Sequence, residues 1–232
     1  MGLDSILAKL VLVPLLVLNQ DAHGSQLPVF KNYESLKYQK YDSFVEEECA
    51  YWNAYFSTRI PAYKPINPKE LIKMMALKEG GNYAWEFDPM QISNKGDTAL
   101  TELKDGTLRI LDSRTNAWLQ KQFSVVSHAS HYKGRWQYEG TGINPYLSIR
   151  GGIVYLISEK AAIFNKVGRC IGMRSWVNTV QRYNGGGDKN YIQKIFGKMA
   201  TVGGKTYAHF IPKPKPTKAK NLAKPKVIRK KK

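Results

Sequence analysis

Twice in this chain an Asn-Pro pair opens a long apolar run. That pairing constrains the fold more than any other feature. Asparagine accepts from the free N–H groups of a first helical turn, and proline at the next position loses nothing there and pre-sets φ. In "INPKELIKMMALKEGG", Asn67 reads as the N-cap, Pro68 as the first helical residue and Glu70 as the partner in a capping box. Gly80 or Gly81 then supplies the stop. "GINPYLSIRGGIVYLISEKAAIFN" repeats the grammar, with Asn144 and Pro145 opening a helix of about twenty residues.

Three further helices follow from spacing. Residues 35–58 place Phe44, Val45, Cys49, Trp52 and Phe56 at helical intervals. "MRSWVNTVQRYNGGG" puts Met173, Trp176, Val177 and Val180 on one face. "DKNYIQKIFGKMA", capped by Asp188, turns Tyr191, Ile192, Ile195, Phe196 and Met199 inward. Between Gly80 and Ile143 the chain reads as loop-rich. "DTALTELK" is a short helix, "TLRILDS" a strand or extended loop, and the rest is polar, aromatic and Gly-containing, as in segments that build or cover clefts. The fold class expected is mainly α.

The 232 residues suffice for one domain with extensions. Of the net charge of +18, eleven Lys or Arg fall in residues 201–232, which hold no Asp or Glu, leaving +7 on residues 1–200. The Lys/Pro-rich end, "KPKPTKAKNLAKPKVIRKKK", reads as a disordered basic tail. It suits an anionic polymer, a membrane surface or nucleic acid, or serves solubility alone. At the other end, Leu10 to Leu18 form an apolar run too short to span a bilayer. Residues 1–24 read as a signal peptide or an apolar N-terminal anchor, and export implies an extracytoplasmic location (periplasm, cell envelope or secreted). Cys49 and Cys170 could pair or stay as buried thiols. His128 and His131 lack acidic or Cys neighbours at metal-ligand spacing and read as solvent-facing, so no metal and no cofactor is expected.

Glu79 is the residue that breaks pattern. It lies at Met75+4, Ile72+7 and Leu71+8, on the apolar stripe of its helix. A carboxyl there is partly desolvated and faces the negative end of the helix dipole. Both effects favour the protonated acid. An acid that keeps its proton near neutral pH can protonate a glycosidic oxygen. A glutamate that turns to solvent beyond the last packed turn is the competing reading.

Four segments, "LKEGGN", "DPMQIS", "NPYLSIRGGIVYL" and "VQRYNGGGDKNYIQKIF", occur in that order over about residues 67–196. Together they resemble the transglycosylase SLT family, the lytic transglycosylases related to goose-type lysozymes. There a catalytic Glu ends a helix, a Gly-Leu-Met-Gln-like loop follows, and a Tyr-Asn comes last. The resemblance implies a lysozyme-like α+β catalytic domain over 67–200, with residues 25–66 as a helical extension. It implies cleavage of the bond between N-acetylmuramic acid and N-acetylglucosamine in peptidoglycan glycan strands, with Glu79 as general acid and then base. Substrate-binding roles pass to Gln91, Met90 (packed beneath it), Tyr183 (orienting Glu79 through its hydroxyl) and Asn184 (holding loop or substrate). Gly80 stands where the family has Ser, Asp88-Pro89 where it has Gly-Leu, and Arg182 where it has Ala. The chain is a divergent member by those marks.

Two alternatives remain open. Hydrolysis would need a second carboxylate. Glu86, Asp88 and Asp97 follow Glu79, and Asp88 is the best placed by sequence. A non-catalytic glycan or nucleic-acid binder would use the aromatics Tyr83, Trp85, Trp118, Trp136 and Tyr138 or the tail.

Overall fold

The computed structural model describes residues 27–203, apart from 62, 64–68, 82, 133–134, 139–140, 162 and 186. The leader, the tail from 204 onward, the Asn67-Pro68 cap and the side chains of His131, Trp136 and Tyr138 lie outside the described residues. The fold is mainly helical. Its helices are α1 (Asp42–Arg59), α2 (Lys69–Gly80), α3 (Thr98–Asp105), α4 (Ser113–Phe123), α5 (Pro145–Lys160), α6 (Trp176–Tyr183) and α7 (Tyr191–Gly203). Two antiparallel hairpins complete it: β1 (Ala129–Tyr132) with β2 (Arg135–Tyr138), and β3 (Ile163–Phe164) with β4 (Cys170–Gly172).

The Asn-Pro grammar holds where it is described. The Asn144 side chain accepts from Leu147 N at 2.9 Å, Pro145 begins α5, and the helix runs 16 residues rather than twenty. α5 forms the centre of the core, with Ile149, Ile153, Val154, Leu156 and Ile157 at most 1% exposed. It packs against α1, α3 and α6, while α2 packs against α7 and α1. One apolar core runs from Leu27 to Met199. Within the stretch read as a helical extension, the buried residues from Leu27 to Tyr63 belong to that same core.

Two expectations change, and one open choice is decided. The first helix starts at Asp42, not near residue 35, because Leu36–Gln39 form a 3-10 turn. There the Gln39 amide donates back to the carbonyls of Tyr33 and Ser35, at 3.2 and 2.9 Å, and tightens the chain. Residues 80–143 are less loop-rich than they read, since they contain α3, α4 and β1–β2. The Asp112 side chain caps α4 by accepting from Thr115 N at 2.7 Å. Only Leu119 and Phe123 of that helix are fully buried, so its apolar signal spans a single i, i+4 pair. Cys49 and Cys170 are both buried free thiols, not a disulfide.

α2 is anchored to the start of α1 by a buried ion pair, with Lys73 Nζ donating to Asp42 Oδ2 at 2.6 Å. Lys73 and Asp42 side chains are 1% and 6% exposed. A lysine buried on the apolar face of α2 is tolerated because this carboxylate meets it, with Gln39 Oε1 accepting from the same nitrogen at 3.2 Å. Among the described residues, no helix is long and apolar enough to cross a membrane.

Candidate active site

The end of α2 organises the site. Leu71, Ile72, Met74, Met75, Ala76 and Leu77 are all at most 1% exposed, so the helix is buried nearly all round before it reaches Glu79. Gly81 closes it in the left-handed region at φ +47, and its N–H donates to Leu77 O at 3.1 Å. Gly80 answers to a different demand. A Cβ there would lie 3.0 Å from Pro89 Cα and 3.2 Å from Trp85 Cα. The chain folds back so closely on the helix end that a side chain at this position would press on the backbone of Pro89 and Trp85.

The returning loop is fastened from both sides. Trp85 Nε1 donates to Lys37 O at 2.7 Å. Gln91 takes a left-handed conformation at φ 50, and its Nε2 donates to the Glu79 carbonyl. Its Oε1 accepts from Asn94 Nδ2 at 3.1 Å. A non-glycine residue held at positive φ stores backbone strain, which persists only where the surroundings fix it. Gln91 therefore ties the Met-Gln loop to the residue expected to carry the chemistry.

Glu79 is partly exposed, and burial pushes its carboxyl above the ordinary glutamate range. Tyr191 and Lys78 pull the other way but are outweighed, while Asp97 and Asp188 reinforce the rise. Tyr191 is fully buried and interacts with the Glu79 carboxyl, yet its hydroxyl has no partner at full hydrogen-bonding distance among the described residues. Its ring also lies 5.7 Å from Lys78 Nζ. Sequence reasoning put Tyr191 in the core and missed this second role. The signal was available: a tyrosine, not a phenylalanine, on the inner face of a helix whose cap follows the Tyr-Asn.

The other expected site residues are placed as follows. Met90 is fully buried, so it cannot touch a substrate. Its N–H donates to Ser148 Oγ at 2.9 Å and its carbonyl accepts from Tyr183 Oη at 2.8 Å. Tyr183 thus spends its hydroxyl on the loop and not on Glu79, although it is close enough for the carboxylate to raise its pKa further beyond what burial does. Asn184 is the C-cap of α6, and its amide donates to Asp188 O at 3.3 Å, so it holds the turn into α7. Gly152 on α5 leaves room for Met90, since a Cβ would fall 2.7 Å from Met90 Cβ and Cγ. Because Met90 is pinned at both backbone ends, Gly152→Ala is expected to cost about 1–3 kcal/mol in urea unfolding. A cost near zero would show that the loop is free to move.

Asp88 is corrected outright. It is fully buried. Oδ1 accepts from Ser148 Oγ at 2.6 Å and Ile92 N at 3.2 Å, and Oδ2 accepts from Ser93 N at 3.0 Å and Ser93 Oγ at 2.5 Å. A carboxylate so enclosed cannot activate a water over a sugar. Glu86 is also occupied, by Lys40 Nζ at 2.8 Å and Tyr41 Oη at 3.2 Å. Of the three acids considered, Asp97 is the one that raises the Glu79 pKa; it is exposed at the start of α3, and its own pKa is raised chiefly by desolvation. His128 lies beside Asp97 with its Nδ1 buried and unpartnered among the described residues. It is therefore less solvent-facing than its sequence suggested. Comparison with protein-family models, curated proteins and solved structures finds no match to this chain.

Proposed function

We propose that this protein cleaves the β-1,4 bond between N-acetylmuramic acid and N-acetylglucosamine in peptidoglycan, as a lytic transglycosylase with a lysozyme-like catalytic domain. The observation that carries the reading is Glu79: a carboxyl at the end of a buried helix, its pKa raised by burial, beside the buried Tyr191 and the part-buried Tyr183. The family resemblance over residues 67–196 supplies the substrate class. In this reading the protonated Glu79 donates to the leaving glycosidic oxygen, while the N-acetyl group of the substrate supports the positive charge developing at the anomeric carbon. The carboxylate so formed then takes the proton of the sugar 6-hydroxyl, and that oxygen closes a 1,6-anhydro ring. One group performs both proton transfers. The enclosure of Asp88 supports this economy, because the acid best placed to serve a hydrolytic water is spent on the fold. Export through the leader and attraction of the basic tail to an anionic polymer, membrane surface or nucleic acid belong to the same proposal.

The test is the product of digesting purified peptidoglycan, read by mass spectrometry. The expected products end in 1,6-anhydromuramyl sugars. Reducing ends instead would favour hydrolysis with Asp97 as the base, the reading that its proximity to Glu79 supports. No cleavage at all would leave a glycan-binding module.

Tyr191 gives a pH prediction. Its hydroxyl lowers the Glu79 pKa, so Tyr191→Phe is expected to raise it. The acid must be protonated to act, so the alkaline limb of the activity profile moves to higher pH. The fold should tolerate the change well, because a buried hydroxyl with no bonding partner is removed. An unmoved limb would separate Tyr191 from Glu79.

A further inference from the structure

The β3–β4 hairpin that follows α5 carries an apolar surface of its own. Three of the eleven large hydrophobic residues exposed among the described residues fall within its nine residues 163–171: Ile163 at 54%, Val167 at 76% and Ile171 at 59%. Exposed apolar side chains scattered singly need no explanation, but a cluster does. The backbone shows how this one is held. Ile163 pairs with Gly172 and Phe164 with Cys170, which skips Ile171 and leaves no residue opposite it. Gly172 gives the Ile163 side chain room to lie across the hairpin, since a Cβ there would fall 2.8 Å from Ile163 Cδ1. Asn165 wires the turn. Its side-chain oxygen accepts from Val167 N at 3.1 Å and Arg169 N at 2.9 Å, and its own N–H donates to Arg169 O at 2.9 Å. Gly168, at φ 77, completes the reversal, with its N–H on Asn165 O at 3.0 Å. Val167 is thus presented at the apex of a fixed turn.

Cations surround the same residues. Lys166 and Arg169 flank Val167 and are exposed. Arg109, also exposed, reaches in from the segment between α3 and α4, with its guanidinium 4.2 Å from the Phe164 ring. None of the three forms an ion pair among the described residues. No Asp or Glu occurs from Lys160 to Gly187, and Glu159 just before is held by Arg174 and Arg182. A partner must therefore offer negative charge and apolar volume in one place. Nucleic acid supplies the charge, but its bases stack on rings and gain nothing from aliphatic side chains. The hairpin's one ring, Phe164, is taken by Arg109. A second copy of the hairpin would set like charges together. A stable protein interface takes about 20–30 residues a side, against nine here. An anionic lipid surface supplies both requirements: charged headgroups in a plane, with the acyl boundary just beneath them.

We infer that the β3–β4 hairpin is a membrane-docking element. It places Val167, with Ile163 and Ile171, at the headgroup–acyl boundary of an anionic bilayer, while Lys166, Arg169 and Arg109 meet lipid phosphates. Ile163 and Ile171 stand four residues to either side of Val167, so the apolar residues are disposed evenly about the apex. The hairpin lies on a membrane and does not span it, so water and headgroups can still satisfy its open strand edges. Because the turn is already fixed by Asn165, little ordering entropy is lost when it docks. A structured hairpin also sets how the protein is oriented on the surface, which attraction of a charged tail alone does not.

The inference stands or falls apart from the cleavage reading, since vesicles hold no glycan. Co-sedimentation of the full chain with phosphatidylglycerol–phosphatidylcholine vesicles, against phosphatidylcholine alone, tests it. Val167→Ser and Ile171→Ser are each expected to weaken binding to the anionic vesicles by about fivefold or more. Lys166→Glu and Arg169→Glu should do the same, while Val167→Leu keeps the binding of its parent. All five positions of change are exposed, so melting temperatures should stay put. An environment-sensitive fluorophore on Val167→Cys gives a second reading, because Cys49 and Cys170 are buried and the dye goes to the apex. Its emission should move to the blue on anionic vesicles and be quenched by brominated acyl chains. Unmoved emission while the protein is bound would assign the binding to another part of the chain and overturn the inference, as would no binding at all. Charge reversals that weaken binding while Val167→Ser and Ile171→Ser do not would overturn it in favour of a polyanion. A dimeric parent beside a monomeric Val167→Asp on gel filtration would overturn it in favour of a second copy.

Discussion

Glu79→Gln is expected to lower peptidoglycan cleavage by about 10²–10⁴-fold, the usual worth of a positioned general acid–base. The amide keeps the shape of the side chain and removes the proton that both steps need. Stability should not fall with activity. Burial raises the folded-state pKa of Glu79 above its ordinary value. Below the ordinary pKa the group is protonated in both the folded and unfolded states, and nothing opposes folding. As pH rises, the unfolded chain ionises first, and the penalty on the fold grows until pH passes the raised value. Glu79→Gln carries no such penalty. The variant should therefore equal or exceed the wild type in stability at pH 8, with the gap narrowing as pH falls from the raised value toward the ordinary glutamate range and closed below it. Thermal unfolding at several pH values measures this, beside product release from peptidoglycan. Full cleavage by a folded Glu79→Gln protein would remove Glu79 from the chemistry.

Asp88→Ala is expected to have the largest effect on the fold, at about 3–5 kcal/mol. Four donors lose their acceptor together: the Ile92 and Ser93 N–H groups and the Ser93 and Ser148 hydroxyls. Buried donors without partners carry their full desolvation cost. For a domain of this size such a loss lowers the melting temperature by on the order of 10 °C. Asp88→Asn is no rescue, because its amide places a donor against donors. Ser148→Ala should cost only about 1–2 kcal/mol, since it breaks the Asp88 bond and the Met90 N–H contact but leaves the other three donors satisfied. If Asp88→Ala melts near the wild type yet stops cleavage, Asp88 is a functional acid after all, and its place among the structural groups is wrong.

Asp88 and Glu79 mark how far the sequence could be read. Both are acids in one twenty-residue stretch, and both were candidates. Glu79 was legible because helical periodicity is a local property: Leu71, Ile72 and Met75 fix which way position 79 faces. Asp88 was not, because its environment is made by Ser148, sixty residues away on α5. The same division runs through the fold. α2, α5 and α6 were legible from apolar spacing, α5 from its cap as well, although α6 begins at Trp176, after Met173. α4 was not, because it buries only Leu119 and Phe123 and its polar face resembles a loop. Tyr183 and Tyr191 were both seen as inward-facing, but which hydroxyl bonds the Met90 carbonyl and which ring lies beside the Glu79 carboxyl depended on how α6 and α7 pack on the loop.

By itself the sequence determined a mainly helical chain, the positions of its strongest helix ends, and one carboxyl placed on an apolar face. These follow from interactions within a few residues, which composition and spacing encode directly. Only the tertiary structure decided that Asp88 serves the fold, that Gly80 lets Pro89 approach, and that Arg150 on α5 meets Glu48 on α1 and Gln122 on α4. Those outcomes depend on which distant side chain occupies the same few ångströms, and local spacing carries no information about that.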